Sequence, residues 1–289
     1  GAITLSSDGT SLLLGGTAIG GGGADLYAAN EVSVTTQPSA TGDDAVAIGD
    51  SASASAANSF AMGHSASASA GYSIALGRNA SATGSNGAAV GFNTTAGTQA
   101  IALGNGAVAS GNNSIAGPGG TASGINSNAF GSGAEASNLG GAAFGRYATT
   151  AVNNYNVAIG NSYASGAEAL AAAIANRTAS YGATGANSIA IGNLAKSTNT
   201  QSLAISGNTT TASGIQATSI GGENNTASGT RATALGGSTN YATGQESYAF
   251  GNRASAKEVG KHSYGGYFGF SGTFAGGFGV GGSQGGMMI

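Results

Sequence analysis

One five-residue phrase, x-apolar-Ala-apolar-Gly, returns along most of this chain at a spacing of about fourteen residues. It reads Ala45-Val46-Ala47-Ile48-Gly49, then Ser59-Phe60-Ala61-Met62-Gly63, then Ser73-Ile74-Ala75-Leu76-Gly77, and continues through Gly87–Gly91 and Ala100–Gly104. Further copies include Val157-Ala158-Ile159-Gly160, Ser188-Ile189-Ala190-Ile191-Gly192 and Ser202-Leu203-Ala204-Ile205; late ones, such as Ala232–Gly236 and Ser247–Gly251, stand fifteen apart. Two copies are irregular: Ile115-Ala116-Gly117-Pro118 puts proline where glycine is expected, and the copy around Ala169–Ala175 is blurred. A fixed short period means that one small structural unit is stacked many times.

The large apolar residues of each phrase lie two apart, so they share one face of a strand while the alanine between them takes the other. Helical spacing is not kept. Between phrases runs a second alternating stretch of small residues, as in Ser65-Ala66-Ser67-Ala68-Ser69-Ala70-Gly71. Each repeat therefore predicts two short strands joined by two turns, with Gly and Asn where a corner needs positive φ. That is one coil of a β-solenoid. Roughly sixteen coils between Asp43 and His262, at about 4.8 Å each, predict a rod about 75 Å long.

So thin a roll has room for medium side chains from one wall only. The larger residues are expected to form its structural core: Ile48, Met62, Ile74, Leu76, Val90, Ile101, Leu103, Phe130, Phe144, Ile159, Ile189, Ile191, Leu203, Ile205, Ile220, Leu235 and Phe250. The alanines opposite them, Ala47, Ala61, Ala75, Ala89 and Ala102, are expected to form a flat outer face packing against other copies of the chain.

Composition bears on the alternatives. Glycine is abundant (55 of 289 residues), only 7% of residues are charged, 40% are hydrophobic, and Cys and Trp are missing. Glycine-rich chains are commonly disordered, yet disorder favours high net charge, and here the net charge is −3 over a strict repeat. The few basic residues make no stripe for a nucleic-acid backbone. The most apolar stretches, Ser11–Ile19 and Glu168–Ala175, are too short to cross a bilayer, so no membrane insertion is expected.

The stretch "NSIAIGNLAKSTNTQSLAI", Asn187–Ile205, with its relatives across about Ala40 to Arg253, resembles the head repeats of YadA-like trimeric autotransporter adhesins. Similar repeats also occur in bacteriophage tail fibres. The resemblance implies an all-β, left-handed parallel β-roll in which three chains pack about a common axis as an extracellular fibre, on a virion or on a bacterial surface.

Three regions are expected. Residues 1–40 hold a β-hairpin or cap, from "ITLSSDGTSLLLGG" with its Ser7-Asp8-Gly9-Thr10 turn. Residues 41–256 are the roll. Residues 257–289 are a glycine-aromatic tract expected to run on into a further domain. The neck phrase and coiled coil that follow heads in the autotransporters are not visible in it, and the tract looks more like the terminal repeats of phage fibres. Its Tyr264, Tyr267, Phe268, Phe270, Phe274 and Phe278 are candidates for stacking on a cell-surface glycan or filling a protein receptor's pocket, or else for packing a widened trimer end.

No enzymatic activity, cofactor or metal is expected. His64 sits in a turn slot that neighbouring coils fill with Asp50 and Arg78, and the other histidine is His262. The acids Asp43, Asp44, Asp50, Glu135, Glu168, Glu223, Glu246 and Glu258 do not recur as a pair at one coil position, so the two-carboxylate arrangement of a glycosidase is not indicated. Acids far apart in sequence can meet across coils, and a glycan-cleaving tailspike stays a lesser alternative beside an ice-binding solenoid. An ice-binding face would need a regular Thr ladder, and the outward positions vary among Ser, Asn, Thr and Ala. The expected role is a fibre that holds and presents a host- or surface-binding end, on a phage tail fibre or virion appendage, with a bacterial adhesin head as the rival setting.

Overall fold

The computed structural model describes residues 36–174, 180–205 and 208–266, together with the short strands Ile3–Leu5, Leu12–Leu14, Thr17–Ile19 and Gly285–Gly286. The three first strands form an antiparallel sheet in the order of the chain. From Ser39 onward every coil supplies two strands to two parallel sheets. Two-residue strands, from Ser39–Ala40 to Ser255–Ala256, make one sheet of sixteen strands. Three-residue strands, from Val46–Ile48 to the four-residue His262–Gly265, make the other, and its last member pairs antiparallel with Gly285–Gly286. The chain is thus an all-β parallel solenoid of about sixteen coils.

The register follows the repeat. Val46, Ala47 and Ile48 pair with Phe60, Ala61 and Met62, and these with Ile74, Ala75 and Leu76. Coils are fastened by bonds such as Phe60 N–H to Ser73 C=O at 2.9 Å and Gly63 N–H to Ile48 C=O at 2.9 Å. The corners beat at half the coil length: Asp44, Ser51, Asn58, Ser65, Tyr72, Asn79, Asn86 and Asn93 all have φ between 52° and 57°. At the Gly49 corner, Ala52 N–H bonds to Gly49 C=O at 3.1 Å with Ser51 left-handed, the pattern of a type II turn. Asn and Ser suit such corners, but Tyr72, Leu194 and Arg231 also adopt them, so coil stacking overrides local preference.

The glycine that ends each phrase answers to a stricter demand. Gly63 has φ +129°, and a Cβ there would lie 2.7 Å from the backbone carbon and oxygen of Gly77 in the next coil. Only glycine allows coils to stack so closely at that corner.

The interior reverses the expected packing. The buried core is a double file of alanines, Ala61, Ala75, Ala89 and Ala102 from the three-residue strands facing Ala54, Ala68, Ala82 and Ala96 from the two-residue strands, with Ile174 its one large member among the described residues. Ala47, in the first coil, packs partly buried against this core. Met62, Ile74, Ile101, Leu103, Phe130, Phe144, Ile159, Ile189 and Phe250 are instead exposed, and Ile48, Leu76, Val90, Ile191, Leu203, Ile205, Ile220 and Leu235 half-buried. The expected core points outward and the expected packing face points inward. The reason is volume: neither wall leaves room for more than a methyl group or a hydroxyl, so the larger residue of each alternating pair must turn out.

The later coils, fifteen residues apart from Leu203 to Thr218, Thr233 and Tyr248, hold one more residue each. Buried asparagines fill their enlarged corner. Asn225 donates to the carbonyls of Gly221 (2.6 Å) and Gly236 (2.9 Å), and its own oxygen accepts from Asn240 N–H at 2.9 Å. Asn240 repeats this with the carbonyls of Gly236 and Gly251 and with Ala254 N–H. A side-chain ladder thus replaces backbone bonds that the longer corner gives up.

Candidate interaction surfaces

Two outward columns run along the three-residue sheet. One passes through Val46, Phe60, Ile74, Ala88, Ile101 and Ile115; the other through Ile48, Met62, Leu76, Val90 and Leu103. The second is interrupted at Gly117, over which the Phe130 ring lies: a Cβ on Gly117 would be 2.7 Å from Phe130 Cδ1. It then resumes as Phe130 stacked on Phe144, centroids 5.8 Å apart and planes 5° apart. The first column is polar at Asn128 and, toward the C-terminal coils, at Thr218 and Thr233, then aromatic at Tyr248, whose ring lies 4.7 Å from that of His262 at a 48° tilt. An exposed apolar flank of this length, broken only at a few positions, is the kind of surface that commonly serves as a contact between proteins.

The two-residue sheet turns a different face to solvent. Its outward column begins Ser39, Ser53, Ser67, Ser81, Thr95 and continues through Val108, Thr121, Glu135, Thr149 and Tyr163. The flanking corners carry side-chain ladders between coils. His64 Nε2 lies 3.3 Å from Asp50 Oδ2, Asn79 donates to Asn93 at 2.9 Å, and Arg78 sits 5.5 Å over the Phe92 ring. Gln216 donates to Gln201 at 3.0 Å, and Arg231 pairs with Glu246 one coil further on. The Arg231 guanidinium, by hydrogen bond and by charge, holds the Glu246 carboxyl below the usual carboxylate range.

His64 is placed in a solvated corner with Asp50, as its slot in the sequence suggested. Among the described residues no three His, Cys, Asp or Glu side chains gather as metal ligands, and no helix is long and apolar enough to cross a membrane. Of the candidate ring residues, Tyr264 is exposed on the last three-residue strand, 6.3 Å from Phe250 in an edge-on contact. Tyr267, Phe268, Phe270, Phe274 and Phe278 lie outside the described residues.

Reading the repeat missed which columns are available for contact. The signal was there: alanine stays constant from coil to coil, while its neighbours range over Val, Phe, Ile and Ala. The constant position is the one with a fixed volume to fill.

The structure defines a class: a thin parallel solenoid whose interior is closed by alanine and whose one flank is largely apolar along the described coils. The sequence profile described as YadA head domain repeat (2 copies) matches residues 40–66, 68–94, 96–116, 183–205, 212–239 and 242–262, together just over half of the chain. The chain belongs to the family of YadA head domain repeats, a structural repeat of adhesin heads and not an enzyme family. No individual curated protein matches it.

Proposed function

We propose that this chain is a non-enzymatic segment of an extracellular homotrimeric fibre, a stiff rod that holds a binding surface away from its anchor. The observation that carries the reading is the pair of outward apolar columns on a roll that needs none of them for its own core. Completing the burial of a large side chain already half-covered contributes about 1 kcal/mol, and roughly two dozen such positions together outweigh an association cost of about 4–15 kcal/mol. Three chains joined along this flank would make a protease-resistant shaft, and three identical copies of any weak site convert low affinity into lasting attachment.

For the setting we favour a phage tail fibre or virion appendage. The glycine-aromatic tract from 257 to 289, which shows no heptad pattern, supports it. The rival is the head of a bacterial trimeric adhesin, and the family match is compatible with both settings. Light scattering combined with small-angle X-ray scattering tests the fibre: a rod near three times the 27.1 kDa chain mass is expected. A compact or monomeric particle would contradict it. Immunogold labelling of purified virions and of intact cells tells the two settings apart.

A further inference from the structure

The family profile stops at residue 116 and resumes at 183, yet the solenoid does not stop. Strand pairing runs unbroken from Ile115 to Asn128, Ala142, Val157, Leu170 and Ile189. The fold is kept where the sequence departs from the repeat. Departures confined to a few coils of a stacked array are where side chains can serve something other than stacking.

What changes in this sector is specific. The corner after Thr150 lengthens into an exposed loop containing Val152 and Tyr155, and the coil from Leu170 to Ile189 is longer than its neighbours. Two corner glycines of this sector, Gly133 and Gly140, each seat a tyrosine from the following coil. A Cβ on Gly133 would lie 2.5 Å from Tyr147 Cδ1, and one on Gly140 would lie 2.6 Å from Tyr155 Cδ1. These rings are held against the corner backbone on either side of the two-residue sheet. Tyr163 stands between them on that sheet, beside Thr149, an outward residue that is buried at 8% exposure. Tyr155, exposed, and Tyr163, half-buried, offer apolar ring faces to solvent, and little rotamer freedom is lost when a flat ligand settles on them.

The corner beside this face carries a cation, Arg146, with the Glu135 carboxylate on the outward column next to Thr149. Arg146 lies 4.5 Å over the Tyr147 ring and donates to its hydroxyl at 3.0 Å, and among the described residues no carboxylate forms an ion pair with it. Stacking on the ring fixes the guanidinium plane and leaves its remaining donors exposed as a fork that fits a carboxylate.

We propose that the two-residue face of coils 133–164 is a lateral site for a carboxylate-bearing oligosaccharide: Arg146, seated on Tyr147, takes the carboxylate, and Tyr155 and Tyr163 take the apolar faces of the sugar rings. The proposal rests on the attachment reading and places recognition on the side of the rod. The site lies on the sheet opposite the apolar flank, so it stays open when chains associate.

The test uses the whole chain on an array of hexuronate and sialyl oligosaccharides beside their neutral, uncharged parents. The expected result is selective binding of carboxylated members, weakened by salt, and lost at least tenfold in Arg146→Gln and in Tyr163→Ala. Arg231→Gln, an arginine elsewhere on the rod, should bind as the parent does. Circular dichroism of each variant separates loss of binding from loss of fold. No binding to any carboxylated member, or binding indifferent to both substitutions, overturns the proposal. If the chain still coats cells in that case, the lateral site fails and the attachment reading stands; if it does not, both fail.

Discussion

A corner glycine and an ion pair show how differently single residues weigh in a stacked fold. Gly63 is fixed by backbone on both sides, so Gly63→Ala adds a positive-φ penalty to a clash with Gly77, about 1–3 kcal/mol for the strain alone. A clear drop in the thermal midpoint is expected, and an unchanged midpoint would mean that coils can part at that corner. The Arg231–Glu246 pair is the opposite case, since it faces water on both sides. Because Glu246's folded pKa is depressed, its contribution is present above the unfolded value of about 4.3 and is lost as pH falls through the folded one. Arg231→Gln should therefore raise the titration midpoint of Glu246 toward the ordinary range, as followed by NMR, without a measurable shift in melting temperature at neutral pH. A large melting shift would show that the ladder is worth more than exposed pairs usually are.

At the scale of the coil, period and strand order were legible in the sequence because both follow from alternation and turn chemistry. Which side of the strand faces inward was not legible from Ile74, Ala75 and Leu76 alone, since alternation fixes two faces without labelling them. The label comes from the second strand, where Ala54, Ala68 and Ala82 face the first across a gap too narrow for Ile or Leu. The asparagine corners were hidden for another reason: Asn225 and Asn240 look like loop residues until the fifteen-residue coil closes around them. The role of Asn240 can be measured directly. Asn240→Ala orphans the carbonyl of Gly251 and the N–H of Ala254 and leaves the Gly236 carbonyl to Asn225 alone, a cost of about 1–3 kcal/mol for each buried group left without a partner. Faster hydrogen exchange at Ala254, with exchange in the coils around Ala75 unchanged, is the expected pattern. Uniform acceleration along the rod would show that the coils do not open separately.

For the whole molecule, stability is close to a sum over coils and their neighbours, so length is negotiable while the ends and the flank are not. Excising residues 67–80, one complete coil in register with its neighbours, should leave a folded rod about 4.8 Å shorter. Loss of folding would mean that the coils are less interchangeable than their pairing suggests. The central claim concerns the two sides of the three-residue strands: alanine closes each roll, and the large apolar column joins one chain to the next. Since the chain has no cysteine, single cysteines report on each side cleanly. The most direct measurement is oxidation and thiol labelling of Leu103→Cys beside Ala102→Cys. The account requires Leu103→Cys to form disulfide-linked dimers of the chain, and Ala102→Cys to resist both oxidation and labelling until the protein is unfolded. Cross-linking through position 102 with position 103 protected would put the alanines between chains and contradict it.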